Sequence, residues 1–357
     1  MSQPKVTIVI SPRERFSFTQ QNLESIYEQT QIDFSLIYVD GGSPTAVQQY
    51  LEIQAQQKGF KLIRTEQYLA PNQARNLAIT HVNSEYLVFI DNDVLVNSGW
   101  LERLVECADQ TDATVVCPLT CIGKKINETI HLAGGEAHII EDVTPEGITR
   151  RVHEKHYFVN RPVAEVKDQL QRKKCEFAEF HCMLVRNEIF ARIGLLDEGL
   201  INTREHIDFC MSVTEAGGII YCEPASVVTY VPELPPNWAD ISFFVLRWSD
   251  AWESQSLDYF QQKWNLTKKD KYFKKRYKRL GHRRHHAFVR PLLRRLTFGL
   301  SNAWLEQQAI AFERQINHII TNRYAQKHSN KRIPHQILDA QTDNNIATTE
   351  RIVASKV

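Results

Sequence analysis

From residue 5 to residue 117, short apolar runs alternate with stretches in which apolar residues recur three and four positions apart. Runs at 6–10, 34–39, 60–64, 86–90 and 113–117 are rich in β-branched and aromatic residues and read as strands. Between them the spacing predicts helices. In 18–29, Phe18, Leu23, Ile26 and Tyr27 share one face; a Gln-rich helix runs to 57; another spans 71–81 from Pro71; a fourth follows Ser98 as its N-cap. The run 86–90 is apolar at every position, as in a strand covered on both faces of a parallel sheet. Turn signals at Ser11-Pro12 and Asp40-Gly41-Gly42-Ser43-Pro44 close the first two strands. This βαβαβ rhythm predicts an α/β fold with a doubly wound, mainly parallel sheet. Such sheets bind ligands beyond the carboxyl ends of their strands. Asp40 and the Asp91-Asn92-Asp93 cluster both follow strands directly, so they are expected on one rim.

Beyond residue 117 the pattern weakens. Residues 118–175 are polar and irregular, an insertion of short strands or mobile loops. A mixed strand is expected over 177–186, a helix from Glu205 to a stop at Gly217-Gly218, and two closing strands at 219–222 and 226–231. After Pro232 the character becomes helical and Trp-rich, and from 329 the chain turns polar. The expected layout is a catalytic α/β domain over 1–235, a helical and basic extension over 236–328, and a disordered tail over 329–357.

Composition narrows the class only a little. The 357 residues carry a net charge of +1 with 43% hydrophobic residues, an ordinary globular balance. The seven scattered cysteines suit buried free thiols in a reducing compartment. With no signal-peptide pattern and no run of about 20 apolar residues, a cytoplasmic location is expected. No Gly-rich phosphate loop or dinucleotide fingerprint is present, which argues against P-loop and nicotinamide enzymes.

Two aspartates around one small residue, directly after a buried strand, repel each other and pack poorly. A hard divalent cation, Mg²⁺ or Mn²⁺, offsets that repulsion and bridges to substrate phosphates. On spacing alone, the competing reading is a solvated turn whose Asn97 and Ser98 cap the next helix.

Further motifs, in order along the chain, decide between them. Ser11-Pro12-Arg13-Glu14-Arg15, Asp40-Gly41-Gly42-Ser43, Asn72-Gln73-Ala74-Arg75-Asn76 and Asp91-Asn92-Asp93 are followed by Gly194-Leu195-Leu196-Asp197-Glu198 and Glu205-His206-Ile207-Asp208. This succession resembles the family-2 glycosyltransferases of GT-A fold over roughly residues 5–232. The resemblance implies transfer of a sugar from a nucleotide-diphosphate donor, taken to be UDP-linked, to an acceptor hydroxyl with inversion. It implies that Ser11, Asp40, Arg75, Asp91 and Asn92 bind the nucleotide sugar and that Asp91 and Asp93 hold Mg²⁺ or Mn²⁺. It also implies polysaccharide biosynthesis, with a glycan or lipid-linked acceptor.

Inverting transfer needs a general base at the acceptor hydroxyl. The family's acidic pair reads Glu205-His206 here, so Glu205, His206 and Asp208 are the catalytic candidates, set against a purely helix-dipole role for the acids. The sequence departs from the family again at Tyr230, where many members place a metal-binding histidine; His181 is an additional candidate ligand. These departures keep a rival open: a non-catalytic homologue that binds sugar nucleotides or scaffolds a glycan-assembly complex. The basic run 268–295 reads either as a solvated helical face or as a peripheral contact with the inner face of a membrane; nucleic acid is not an expected partner.

Overall fold

The structure, a computed structural model, describes residues 4–145, 147–232, 236–267, 270–300, 302–328 and 335–339. Its strands are β1 (Val6–Ser11), β2 (Phe34–Gly41), β3 (Lys61–Thr65), β4 (Tyr86–Asp91), β5 (Val94–Val96), β6 (Val115–Ile122), β7 (Ile130–Leu132), β8 (Gly135–Thr144), β9 (Gly147–His156), β10 (Lys173–Cys175), β11 (Cys182–Arg186), β12 (Ile220–Tyr230) and β13 (His335–Leu338). The helices are α1 (Thr19–Gln29), α2 (Thr45–Lys58), α3 (Pro71–Ile79), α4 (Trp100–Thr111), α5 (Val163–Val166), α6 (Ile189–Ile193) and α7 (Glu205–Glu215). The extension adds α8 (Ile241–Arg247), α9 (Asp250–Lys263), α10 (Lys271–Tyr277), α11 (His282–Arg284), α12 (Arg290–Leu296) and α13 (Ala303–His328).

The main sheet runs β10-β12-β6-β11-β4-β1-β2-β3-β13, with β5 on β12 and β7 on β6. Its spine is parallel, β3-β2-β1-β4 and β6-β12, and β11 enters antiparallel between β4 and β6. Every residue of β1 and β4 is buried, which explains why both are apolar apart from Thr7 and the terminal Ser11 and Asp91. Two apolar layers cover the sheet, one around Phe89, Met183 and Phe209, the other around Trp100, Leu104 and Tyr86. This is the expected doubly wound α/β architecture with a helical extension.

Local chemistry accounts for most element ends. Pro71 opens α3, and the Gln73 side chain accepts a hydrogen bond from the Ala70 N–H at 3.1 Å. Gly217, at φ 78°, ends α7 in the left-handed region. Ser98 is not the cap of α4: Gly99 occupies that position at φ 73°. The two closing strands expected at 219–222 and 226–231 are one strand, β12, because a bulge between Glu223 and Val227 absorbs Pro224 while pairing with β6 continues on both sides. Residues 335–338, expected in a disordered tail, form β13 against β3. Asp339 follows it, and the remainder of that tail lies outside the described residues.

The irregular insertion becomes a long hairpin, β8-β9, and this hairpin ties the extension to the α/β half. Glu154 on β9 accepts hydrogen bonds from Arg204 at 2.9 Å, Arg276 at 2.6 Å and Tyr272 at 2.7 Å. Burial opposes its charge, but Arg204, His156, Arg276 and Tyr272 outweigh burial and hold the carboxyl well below its usual range. A carboxyl with a depressed folded-state pKa contributes its stability above its unfolded value and loses it as pH falls. Glu154→Gln should therefore cost about 3 kcal/mol at pH 7 and less below pH 4, as read by urea unfolding across that range. An unchanged pH profile would show that Glu154 is not the fastening.

Candidate active site

The strand ends converge on a cavity of about 420 Å³ whose walls include Arg13, Arg75, Asp91, Glu179, His181, Glu205, His206 and Arg247. Of the Asp91-Asn92-Asp93 turn, Asp91 lines it. β11 pairs antiparallel with β4, Cys182 opposite Ile90, and the Asp91 N–H bonds the His181 carbonyl at 3.1 Å. That register brings the His181 ring over the turn, with Nδ1 3.1 Å from an Asp91 oxygen.

The two aspartates are treated oppositely. Asp91 receives Arg13 at 2.9 Å and Arg75 at 3.3 Å. Burial opposes its charge, but Arg13, His181 and Arg75 outweigh that cost and keep it ionised far into acid. Asp93 is completely buried, neither carboxylate oxygen has a hydrogen-bond partner among the described residues, and its nearest cation is Arg13 at 3.8 Å. Burial first, then the neighbouring acids Asp91 and Glu14, push its pKa up to about 7 despite Arg13. Burial, followed by Arg13, lowers His181 to about 4, so its imidazole is neutral at pH 7. Ligand atoms of Asp91, Asp93 and His181 lie within 4.8 Å of one another. Two carboxylates, one of them starved of partners, and a neutral imidazole suit a divalent cation. Tyr230 does not supply the third donor; its ring stacks on His181 at 4.2 Å between centroids and positions it.

Asn92 turns the other way. Its side chain accepts from the Arg13 N–H at 2.8 Å and donates to the Arg15 carbonyl at 3.2 Å, so it fixes the loop after β1 rather than facing the cavity. Ser11 lies opposite Asp91 in the β1–β4 register, with a buried hydroxyl that finds no partner among the described residues. Arg75 rests on the Phe180 ring at 3.8 Å and reaches the cavity. Asp40 sits at the carboxyl end of β2 but does not line the cavity; Arg64 and Ser43 occupy its carboxylate.

Glu205 opens α7, is buried and lines the cavity, and its Oε2 finds no partner among the described residues. Arg204, just before it, is held at φ 72°, an uncommon conformation for a side chain of this size. His206 lines the same wall edge-on to Phe177, and burial lowers its pKa. Asp208, three residues on in α7, does not line the cavity; Trp264 and Lys263 donate to it at 2.8 Å. It fastens the end of α9 instead.

Several cavity residues carried no recognised signal in the sequence. Glu179 and His131 pair at 2.8 Å, and His131, Glu179 and His181 form a second cluster. Glu179 and His181 belong to the loop and turn that lead into β11, where no strand or helix period relates them; His131, isolated in a polar region, gave no sign. Glu14 ties the β1 loop to α8, accepting from Trp248 at 2.8 Å with Arg247 at 3.1 Å. The basic run also changes meaning. Lys275, Arg276, Arg279, His282 and Arg283 form a cavity wall rather than only a solvated face.

With this geometry in place, the chain belongs to glycosyl transferase family 2, whose sequence model matches residues 7–194, more than half of the chain. Among its relatives, the uncharacterized glycosyltransferase EpsJ of Bacillus subtilis is 24% identical over 57% of this chain and 62% of its own. The succinoglycan biosynthesis protein ExoW of Rhizobium meliloti is 22% identical over 63% of this chain and 68% of its own. Others are matched only in part: the chain spans 16% of an uncharacterized glycosyltransferase of Rickettsia bellii at 29% identity over 30% of this chain. Among solved structures, the mannosyltransferase PcManGT of Pyrobaculum calidifontis, in complex with GDP-Man and Mn²⁺, aligns at TM-score 0.47 and 15% identity over 91% of this chain and 85% of that one.

Two outcomes follow from the opposed environments of the acids. Asp93→Asn should raise the melting temperature of metal-free protein by a few degrees, by removing an unpartnered buried charge, and should abolish the shift produced by added Mn²⁺. Asp208→Asn should lower the melting temperature yet keep the Mn²⁺ shift. Scanning calorimetry with and without the ion checks both.

Proposed function

We propose that this protein transfers a sugar from a nucleotide-diphosphate donor, UDP-linked in the first instance, to an acceptor hydroxyl with inversion at the anomeric carbon. The observation that carries the reading is the unpartnered Asp93 carboxylate beside Asp91 and His181, the latter two lining a cavity that Glu205 also lines. Family membership supports sugar transfer, and the succinoglycan relative supports a role in polysaccharide assembly.

Asp91, Asp93 and His181 would hold the divalent ion, Mg²⁺ or Mn²⁺, which when bound neutralises charge gathering on the departing diphosphate. Arg13, Arg75 and Arg247 surround the same space and bind the phosphates; Arg247 is 2% exposed, and its Nη1 has no partner among the described residues. Glu205 acts as base. Its carboxylate takes the acceptor hydroxyl proton as that oxygen bonds to the anomeric carbon and the bond from that carbon to the phosphate oxygen breaks, releasing the nucleoside diphosphate. The charge of Glu205 acts on Arg75, Arg204 and His206, so the base shares one electrostatic field with the donor site.

Incubation with UDP-, GDP- and dTDP-sugars plus Mn²⁺ or Mg²⁺, followed by nucleoside diphosphate release, tests the assignment. Glu205→Gln should reduce turnover by about 10²–10⁴-fold while leaving donor affinity within about threefold. Full turnover in Glu205→Gln with loss in His206→Asn would move the base to His206. Donor binding without turnover by the native chain under any condition would support a binding homologue instead.

A further inference from the structure

We propose that the apolar tip formed by α12, the turn after it and the start of α13 docks on an anionic lipid surface. Residues 271–305 contain eleven Lys or Arg and no Asp or Glu. The structure divides this acid-free run into two functional ends. One end, at Lys275, Arg279 and Arg283, forms the cavity wall. The other projects Leu292, Leu296, Phe298, Leu300 and Trp304 into solvent, with Phe298 96% exposed and Leu300 77%. A water-soluble surface seldom gathers so many large apolar side chains at one place.

The tip is built rather than frayed. The Gly299 N–H bonds the Arg294 carbonyl at 2.8 Å, and Thr297 Oγ1 lies 2.6 Å from the Leu300 carbonyl. Phe298 is held at φ 50°, so the turn presents the ring outward at a conformational cost. Arg294 and Arg295 flank the tip, both exposed and without an ion pair among the described residues. The nearest acids in sequence, Glu306 and Glu313, are taken by Arg290 and Arg284.

This combination selects the occupant. A second copy of the same face would bring Arg294 and Arg295 against their own kind, and Glu306, the acid in the first turn of α13, is already held by Arg290. A bilayer bearing anionic headgroups offers the opposite charge to the arginines and an apolar layer to Leu296, Phe298 and Leu300, and Trp304 suits the boundary between the two. No described helix is long and apolar enough to cross a membrane, so the contact is peripheral. It is also displaced from the basic run as read from sequence: the cations nearest the cavity line it, and the lipid contact lies at and beyond the end of that run. Resting on the transferase reading, this docking would present the cavity to an acceptor carried on a lipid.

Sedimentation of the full chain with vesicles, in the absence of any substrate, tests docking separately from catalysis. Wild-type protein should pellet with vesicles of mixed phosphatidylglycerol and phosphatidylcholine and remain in the supernatant with phosphatidylcholine alone. Phe298→Ser combined with Leu300→Ser should lower the partition coefficient at least about tenfold, with an unchanged melting temperature because both side chains are already in water. Arg294→Gln combined with Arg295→Gln should lower it about tenfold at about 0.1 M salt, and much less at about 1 M, where screening already weakens the wild type. Three results overturn the proposal: no binding to anionic vesicles, equal binding by wild type and the Phe298/Leu300 variant, or a concentration-dependent dimer that this variant dissolves. Nucleoside diphosphate release in solution is unaffected in every arm, so failure here leaves the transferase reading standing.

Discussion

The rim of this molecule depends on placing carboxyl groups where water cannot reach them. Asp91 and Asp93 end a strand that is buried along its whole length, and both carboxylates are almost wholly inaccessible. An ion in such a place is tolerated only when other charges or hydrogen bonds replace its lost hydration. The protein supplies that replacement unevenly. Asp91 has two arginines and a histidine; Asp93 has one distant guanidinium and no hydrogen bond among the described residues. The unevenness leaves room for one more positive charge beside Asp93. It also explains why Asn92 stands between them: a carboxylate there would add a third repelling charge, whereas the amide ties down the loop carrying Arg13.

The C-terminal helices answer the same constraint from the other side. Arg247 and Trp248 are brought against Glu14, and Glu14 follows the arginine that serves both aspartates. Burial opposes the charge of Glu14, but Arg13 and Arg247 outweigh it and hold its pKa at about 2. The extension is therefore part of the charge network rather than an appendage. Glu154 repeats the arrangement further out, joining the β8-β9 hairpin, the entry to α7 and α10 through one carboxylate. The helices of the extension, α7 and the hairpin become walls of one cavity because their buried charges need each other.

What could be read from the sequence follows from how local each feature is. The parallel spine was legible because a strand buried on both faces must be apolar at every position, and 86–90 is. The rim position of Asp91 and Asp93 followed from where that strand ends. The β12 bulge was not legible, because Pro224 looks like a break and only pairing with β6 shows that the strand resumes. His181 as third donor depends on the register of β11 on β4, which no local pattern encodes. The partners of Asp208 were not legible, because position in a motif says nothing of which way a helix faces, and Trp264 and Lys263 lie about 55 residues away in sequence. The cavity-lining cations of 275–283 were hidden by the same ambiguity: a basic run looks alike whether it meets solvent or lines a cavity.

The central claim is that Asp91, Asp93 and His181 act as one cation site and that His181, not position 230, completes it. Direct Mn²⁺ titration followed by electron paramagnetic resonance, on wild type, His181→Ala and Tyr230→Phe in the presence of UDP, tests it most directly. The account predicts one tightly bound Mn²⁺ in wild type, at least about tenfold weaker binding in His181→Ala, and near-native affinity in Tyr230→Phe, which keeps the stacking ring. Wild-type affinity in His181→Ala, or no bound Mn²⁺ in the native chain, would contradict it and leave charge stabilisation to Arg13, Arg75 and Arg247.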